Sequence, residues 1–586
     1  MAREPDPVEI EWQFDALDLR PVERWLATLP TMSITGDEHL TITALAKPPR
    51  RLVDSYVDTE DWRMVRAGFV VRTRRRGQHD EITLKDNQSA GSGGLRQRLE
   101  VTEELPAGGV PALTNEGPVG RRVHAVAGRK PLREVLQVRT RRRPFALRVG
   151  GIDAAEIALD ETTVMVGKGQ RPMQLRRVEV EVLPEWVEAL TPIVHQLREA
   201  CGLQPATLSK FEAGILALGA EIPGPPELGP ITSGPDATFG ELAYSVLRQQ
   251  LAVLREKEPG SRLGEDPEEL HDMRVATRRL RAAIDLFTDV LPVRARTYRE
   301  ELGWAARVLG HVRDLDVQQE AQAAMADAAT AWGAIFGEAG VDPLGELGEL
   351  LGREREAARA EMLAALDSLR WERLISGLAT MVQQGPLRRS TVGHLPAVMV
   401  VPDLVEHRHG AVEKAARRAK RSGVASDYHR LRIRCKRLRY SLEFSSGLYP
   451  GRTKRYTKRL TGLQDRLGLM QDAEVAAARL AELARGEAHL SPTTIFVMGG
   501  VAERHRMEFD RIMGKLPKEL SRVGGREWRD LAATMEGQRQ HATSLMPPVR
   551  RTLRAVPPPV EISEPVIGAP APLEEVLPGV DIAPLA

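Results

Sequence analysis

The chain has 586 residues, 42% hydrophobic and 28% charged, an ordinary globular composition that excludes wholesale disorder and a collagen-like chain. Lys and Arg number 83 against 81 Asp and Glu, so the net charge of +2 gives no global pull on polyanions, and any electrostatic function must come from local clustering. Cys201 and Cys435 offer neither a disulfide framework nor a cysteine zinc site, MAREPDPVEIEWQF lacks a secretory apolar region, and no run approaches the ~18 apolar residues of a membrane span, so a cytoplasmic protein without a membrane partner is expected.

Residues 8–217 carry short segments of period 2, among them VEIEWQF, GFVVRTRR, LRQRLEVTEE and RRVEVEVL, and these predict strands. EIPGPPELGPITSGPDA at 221–237 holds five prolines and three glycines and reads as a linker. Residues 238–545, rich in Ala, Leu, Arg and Glu at 3.6-residue spacing, predict long helices. From about Pro547 to Ala586 the chain is Pro-rich without a sustained period and is expected to be disordered. The reading is an α+β or mainly β body followed by an all-α body.

The helical part repeats itself. LHDMRVATRRLRAAIDLF at 270–287 matches DYHRLRIRCKRLRYSLEF at 427–444, and LGHVRDLDV from Leu309 matches LGLMQDAEV from Leu467, both at an offset of 158 residues. One offset held across two separated motifs predicts two copies of a helical unit.

Side chains at i and i+2 of a strand share a face. Charged residues recur at that interval in Glu9/Glu11, Arg72/Arg74, Arg98/Glu100, Arg139/Arg141 and Glu179/Glu181, with mostly apolar residues between them. A single pair describes a solvated sheet face; several strands with both signs predict a closed sheet whose carboxylates and cations share one cavity. Such a cavity suits a hard cation and phosphate oxygens together.

This ordered series resembles the CYTH superfamily, the triphosphate tunnel metalloenzymes, over about residues 7–217. The motifs are Glu9-Ile-Glu11-Trp-Gln13, Tyr56-Val-Asp58-Thr59, Gly68, Arg72-Thr-Arg74, Thr83-Leu-Lys85, Arg98-Leu-Glu100, Arg139-Thr-Arg141, Asp160, Glu179-Val-Glu181 and Ser209-Lys210. The resemblance implies an antiparallel eight-stranded β tunnel. Glu9, Glu11, Asp160, Glu179 and Glu181 would then hold Mg²⁺ or Mn²⁺. Arg72, Arg74, Lys85, Arg98, Arg139, Arg141 and Lys210 would contact the triphosphate. Gln13 stands in place of the family's lysine and brings no positive charge, which leaves the catalytic residues unassigned. Restoring the lysine is expected to give equal or higher activity.

In the helical part, His271, Arg274, Arg278 and Arg281 share an arc of roughly 80° on one helix, opposite an apolar face. His429, Arg432, Lys436 and Arg439 repeat the stripe, and like charges at such spacing destabilise a helix unless something balances them. Residues 238–520 resemble the CHAD domain through His271-Asp-Met-Arg274-Val-Ala-Thr-Arg278-Arg279-Leu-Arg281 and Arg313-Asp314-Leu-Asp316-Val. That resemblance implies paired helical bundles whose basic surfaces bind polyphosphate, with these eight residues as the binding set and polyphosphate granules as a location. Asp314 and Asp316 are expected to serve structure.

Three readings follow: a metal-dependent hydrolase of inorganic triphosphate or short phosphate chains joined to a polyphosphate-binding domain; a catalytically weak polyphosphate-binding protein; or another CYTH activity, adenylyl cyclase or thiamine triphosphatase. Nucleic acid is disfavoured, because aromatics are only 4% and few flank the stripes to stack on bases. GSGG at 91–94 lacks the Lys-Ser/Thr of a P-loop. His407 and His409 read as surface histidines, and Cys435 as a buried structural cysteine.

Overall fold

The computed structural model describes residues 8–545 apart from 30–31, 36–37, 77–78, 88–91, 107, 166–171, 223–226, 326–341, 487–489 and 521–522. The Pro-rich tail from Pro547 lies outside the described residues, as does part of the 221–237 linker.

Twelve strands are described: β1 (Val8–Asp15), β2 (Met32–Thr35), β3 (Glu38–Leu40), β4 (Ile42–Ala46), β5 (Arg50–Asp58), β6 (Phe69–Arg76), β7 (His79–Asp86), β8 (Leu95–Leu105), β9 (Arg133–Val149), β10 (Ile152–Met165), β11 (Met173–Val182) and β12 (Gln204–Pro205). Eight of them close on themselves in the order β10-β11-β1-β8-β7-β6-β5-β9, with β9 returning to β10. All eight pairings are antiparallel. The expected eight-stranded tunnel is present; β4 extends it beside β9, β12 beside β1, and β2 and β3 form a separate hairpin.

Alternation explains why the barrel can be wet inside and still fold. On β1, Glu9, Glu11 and Gln13 face inward, while Trp12 and Phe14 face outward into an apolar cluster. That cluster includes Val178, Val180 and Val182 of β11 and Leu190, Ile193 and Leu197 of the helix Val187–Ala200. A second cluster joins Val71, Ile82, Leu84 and Val101 to Val119, Val123 and Val126 of the helix Pro118–Ala127. The stabilising core therefore lies outside the barrel, under its helices, and leaves the inner face to charge. At one end the helix Lys210–Ala217 closes the bore, packing Phe211 and Ile215 on Tyr56, Val70, Leu136 and Val138.

The second half is all-helical. Its helices Phe239–Leu263, Pro267–Leu286 and Ala295–Ala323 are followed, near the 158-residue offset, by Ala397–Ser422, Ala425–Phe444 and Arg452–Arg485. The internal repeat read in the sequence is thus a repeat of helices. One buried cluster runs through both copies, with Phe287 between Phe239 and Phe444 at ring distances of 5.3 and 6.4 Å. Cys435 is fully buried, and burial pushes its thiol up to about 12, an unreactive structural cysteine. His409 corrects an expectation: it is buried and stacks on Trp528 at 3.6 Å, whereas His407 is exposed. Among the described residues no helix is long and apolar enough to cross a membrane.

Candidate functional site

The barrel encloses a cavity of about 680 Å³ lined by nine Arg or Lys and eight Asp or Glu side chains. The wall is close to neutral, so a chain of phosphates entering it brings more charge than the cations alone can balance.

The charges form three groups. In the first, Lys85 reaches Glu9 at 2.8 Å and Glu100 at 2.7 Å, and Arg98 pairs with Glu9 at 3.3 Å and with Glu11. In the second, Lys210 holds Asp160 and, at 2.9 Å, Glu179, while Arg142 bonds Asp160 at 2.7 Å and also Glu179. In the third, Arg74 clasps Asp54, and Arg72 lies 3.5 Å from Glu100 and 3.9 Å from Asp54. Burial alone would raise Glu9, but the Lys85 ammonium and Arg98 guanidinium outweigh it and pull its carboxyl down to about 2. Glu179 is likewise held well below the usual range, its burial outweighed by Lys210 and Arg142. Glu11 shifts upward through burial and the neighbouring Glu9 charge. Glu181, across β1 from Glu11, is crowded by protein and by Glu9 and Glu100, which push it up to about 7.

Lys210 owes its place to the capping box at its own helix. Ser209 accepts from the Glu212 N–H while the Glu212 carboxylate accepts from the Ser209 N–H, which starts the helix with Lys210 facing the cavity. A lysine at a helix N-terminus opposes the helix dipole, so Asp160 and Glu179 must hold it there. Ser209→Ala is expected to cost about 1 kcal/mol, read as a lower urea midpoint with an unchanged slope.

Of the tunnel residues named from sequence, Glu9, Glu11, Glu179, Glu181, Arg72, Arg74, Lys85, Arg98 and Lys210 line the cavity. Asp160 is fully buried behind it, with both carboxylate oxygens engaged by Arg142 and Lys210. Arg139 and Arg141 do not belong to the lining: both are exposed, on the outer side of β9. The inward series is Leu136, Val138, Thr140 and Arg142, so Arg142 supplies the β9 cation. The apolar alternation from Leu136 onward carries that phase. Sequence reasoning also missed Glu100 and Glu156 as lining carboxylates, and Asp54 as the partner of Arg74.

Carboxylate oxygens are the donors that Mg²⁺ and Mn²⁺ prefer, and Glu9, Glu11, Glu179 and Glu181 lie on the adjacent strands β1 and β11. The donor set fits a hard divalent cation. Among the described residues no three His, Cys, Asp or Glu side chains are assembled as a ready cage; lysine and arginine hold the carboxylates instead.

In the helical half the two basic stripes meet. Arg278 donates to the Tyr440 hydroxyl at 2.7 Å, and Arg279 bonds Glu443 at 3.0 Å, each crossing from one repeat to the other. Lys436 is half-buried and faces Arg278, Arg432, Arg274 and Arg439; burial first, then these charges, bring it down to about 7. The guanidinium groups of Arg274 and Arg432 lie over Gly310 and Gly468, again 158 positions apart. Arg281 lies beside Gly303. His271 contacts Glu268 at 3.2 Å, and His429 hydrogen-bonds Gln471. Asp314 pairs with Arg274 at 3.1 Å and Asp316 with Arg355 at 2.6 Å, structural partners of the cations around them.

Comparison with known proteins agrees with this division. The CYTH domain profile matches residues 31–215 and the CHAD domain profile residues 245–481. Among solved structures, the CHAD domain from the plant Ricinus communis is 29% identical, covering 50% of this chain and 96% of its own, at a TM-score of 0.41. PptA from Streptomyces chartreusis is 20% identical over 49% of this chain and 100% of its own, at 0.39. HpAC1 from Hippeastrum, an adenylyl cyclase candidate described with a dominant triphosphatase activity, is 16% identical over 37% and 98%, at 0.25. No curated protein matches the chain. The chain is a member of the triphosphate-tunnel family, a CYTH domain followed by a CHAD domain.

Proposed function

We propose that the protein is a divalent-metal-dependent hydrolase of inorganic triphosphate or short phosphate chains, and that its helical half gathers polyphosphate. The observation that carries this is the closed barrel with nine cations and eight carboxylates on one inner wall. Arg72, Arg74, Lys85, Arg98, Arg142 and Lys210 would take phosphate oxygens, Arg through its bidentate fork, as each exchanges a carboxylate partner for the substrate. Glu9, Glu11, Glu179 and Glu181 would hold Mg²⁺ or Mn²⁺, which when bound supplies charge neutralisation and an activated water. Asp160 keeps Arg142 and Lys210 aimed into the bore. The apolar plug at Phe211 and Ile215 closes one end, so a chain would enter from the other. The test is product analysis with tripolyphosphate, long-chain polyphosphate, ATP and thiamine triphosphate. Orthophosphate from the first two supports the reading; cyclic AMP from ATP, or thiamine triphosphate as the sole substrate, replaces it with another activity of the fold.

The merged stripes around Lys436 support the polyphosphate part: cations packed this closely in two repeats call for a bound polyanion. They also imply a pH dependence. A lysine whose ordinary value is near 10.5 and that stands at about 7 is mostly neutral above pH 7. A bound polyanion favours its charged form, so binding takes up a proton and tightens as pH falls through 7. Titrating long-chain polyphosphate at pH 6 and pH 8 should show tighter binding at pH 6, and Lys436→Met should remove most of that difference.

A further inference from the structure

Gln13 is the one neutral amide between the first two charge groups of the tunnel. It faces the bore from β1, is 3% exposed, and stands opposite Glu179 in the β1–β11 register. Its backbone is fixed tightly: a Cβ at Gly94, whose φ is +90°, would come 3.0 Å from the Gln13 carbonyl oxygen. Its side-chain Nε2 donates to Glu11 at 2.9 Å and to Glu179 at 3.5 Å, which ties together two carboxylates from adjacent strands. Its Oε1 is buried and has no hydrogen-bond partner among the described residues. An unmatched buried carbonyl is costly, and it is a sign of a missing partner.

The partner must be a hydrogen-bond donor or a cation. Phosphate oxygens are acceptors and match the arginines and lysines, so the substrate chain does not satisfy Oε1. The two nearest groups, Glu11 and Glu179, are acidic. Two carboxylates and an amide oxygen at one point make a hard-oxygen set, and amide carbonyls are ordinary ligands of hard divalent ions. A search restricted to acids, histidine and cysteine does not register this set, because its third member is a glutamine.

We propose that Gln13 Oε1 is a ligand of the divalent cation, completing a site with Glu11 and Glu179. The two ends of an amide are nearly equal in size, so a half-turn about its last side-chain bond exchanges them. With the tunnel free of metal, Nε2 meets the two carboxylates and holds them together; with metal present, Oε1 takes that side and the cation replaces the N–H groups. Glutamine does both jobs. A lysine at this position could hold the carboxylates but could never ligate, and its charge would repel the ion. The geometry therefore reverses the expectation from sequence that lysine here is an improvement.

This inference rests on the metal reading of the tunnel, and binding can test it without turnover. The full chain is titrated with Mn²⁺, following free ion by electron paramagnetic resonance, for wild type and for Gln13→Met, Gln13→Lys and Gln13→Glu, with thermal unfolding as the check on folding. Gln13→Met, which keeps size and loses both amide ends, should weaken Mn²⁺ binding about tenfold or more. Gln13→Lys should weaken it further, and Gln13→Glu should strengthen it. Wild-type affinity in Gln13→Met overturns the inference. A loss confined to Gln13→Lys is charge repulsion alone and overturns it as well. If the wild-type chain takes up no Mn²⁺, the inference falls, and phosphate release from tripolyphosphate in the presence of a chelator then decides separately whether the hydrolase reading survives.

Discussion

Glu9→Gln together with Glu11→Gln is expected to lower metal-dependent phosphate release from tripolyphosphate about a hundredfold or more, with the barrel intact. Both side chains point into the bore from β1. Both exchanges keep volume and shape, and the outer core of Trp12 and Phe14 is untouched. What changes is charge. Two hard-oxygen anions disappear, and Lys85 and Arg98 lose carboxylate partners that hold them in a buried setting. Part of the cost therefore appears as lower stability, because removing one member of a buried ion pair strands the other. A urea titration separates the two effects: a cooperative transition with an unchanged slope shows a folded barrel, and assays below that transition report the site. Full activity in the double variant would mean that these carboxylates do not hold the metal.

The second large effect belongs to the helical domain. Neutralising Arg274, Arg278, Arg281, Arg432, Lys436 and Arg439 together should abolish measurable binding of long-chain polyphosphate at physiological salt. Six scattered surface cations removed from the same chain should change it little. The distinction follows from geometry, since Arg278, Arg432, Arg274 and Arg439 surround Lys436 across the junction of the repeats. Each lost phosphate contact also removes released counterions, so the log–log slope of affinity against salt should flatten by roughly 4–5. That rule was established for nucleic acid and holds for any dense linear polyanion. Relief of like-charge repulsion should leave the variant at least as stable as wild type, which makes a loss of binding a loss of contacts. Unchanged affinity would remove the polyphosphate reading of this domain and leave the tunnel reading intact.

How much of this was legible in the sequence depends on which residues carry a local signal. The inward face of β1 was, because Glu9, Glu11 and Gln13 alternate with Ile10, Trp12 and Phe14, and only one phase puts the aromatics in a core. The β9 face was misread because Arg139, Thr140, Arg141, Arg142 and Arg143 put charge on both phases. Leu136 and Val138, inward and packed under the plug helix, decide for Arg142, but only once that helix is seen to enter the barrel. Asp54 had no local signal, since its meaning is the arginine it meets on β6. The repeat offset of 158 was visible, and the helices follow it. That the two stripes join into one patch was not, because the contacts Arg278–Tyr440 and Arg279–Glu443 cross between repeats. His409 misled for the same reason: its partner Trp528 lies on a helix more than a hundred residues away. Gln13 was conspicuous as a missing charge, but its free oxygen and its grip on Glu11 and Glu179 exist only in the closed barrel.

One measurement bears on the central claim most directly: orthophosphate released from tripolyphosphate by the full chain, with Mg²⁺ or Mn²⁺ and again with excess chelator. The charged barrel predicts multiple turnovers with metal and a return to background without it. Tight binding of tripolyphosphate with no release under either metal would contradict it, and would leave a tunnel that holds phosphate chains without cutting them.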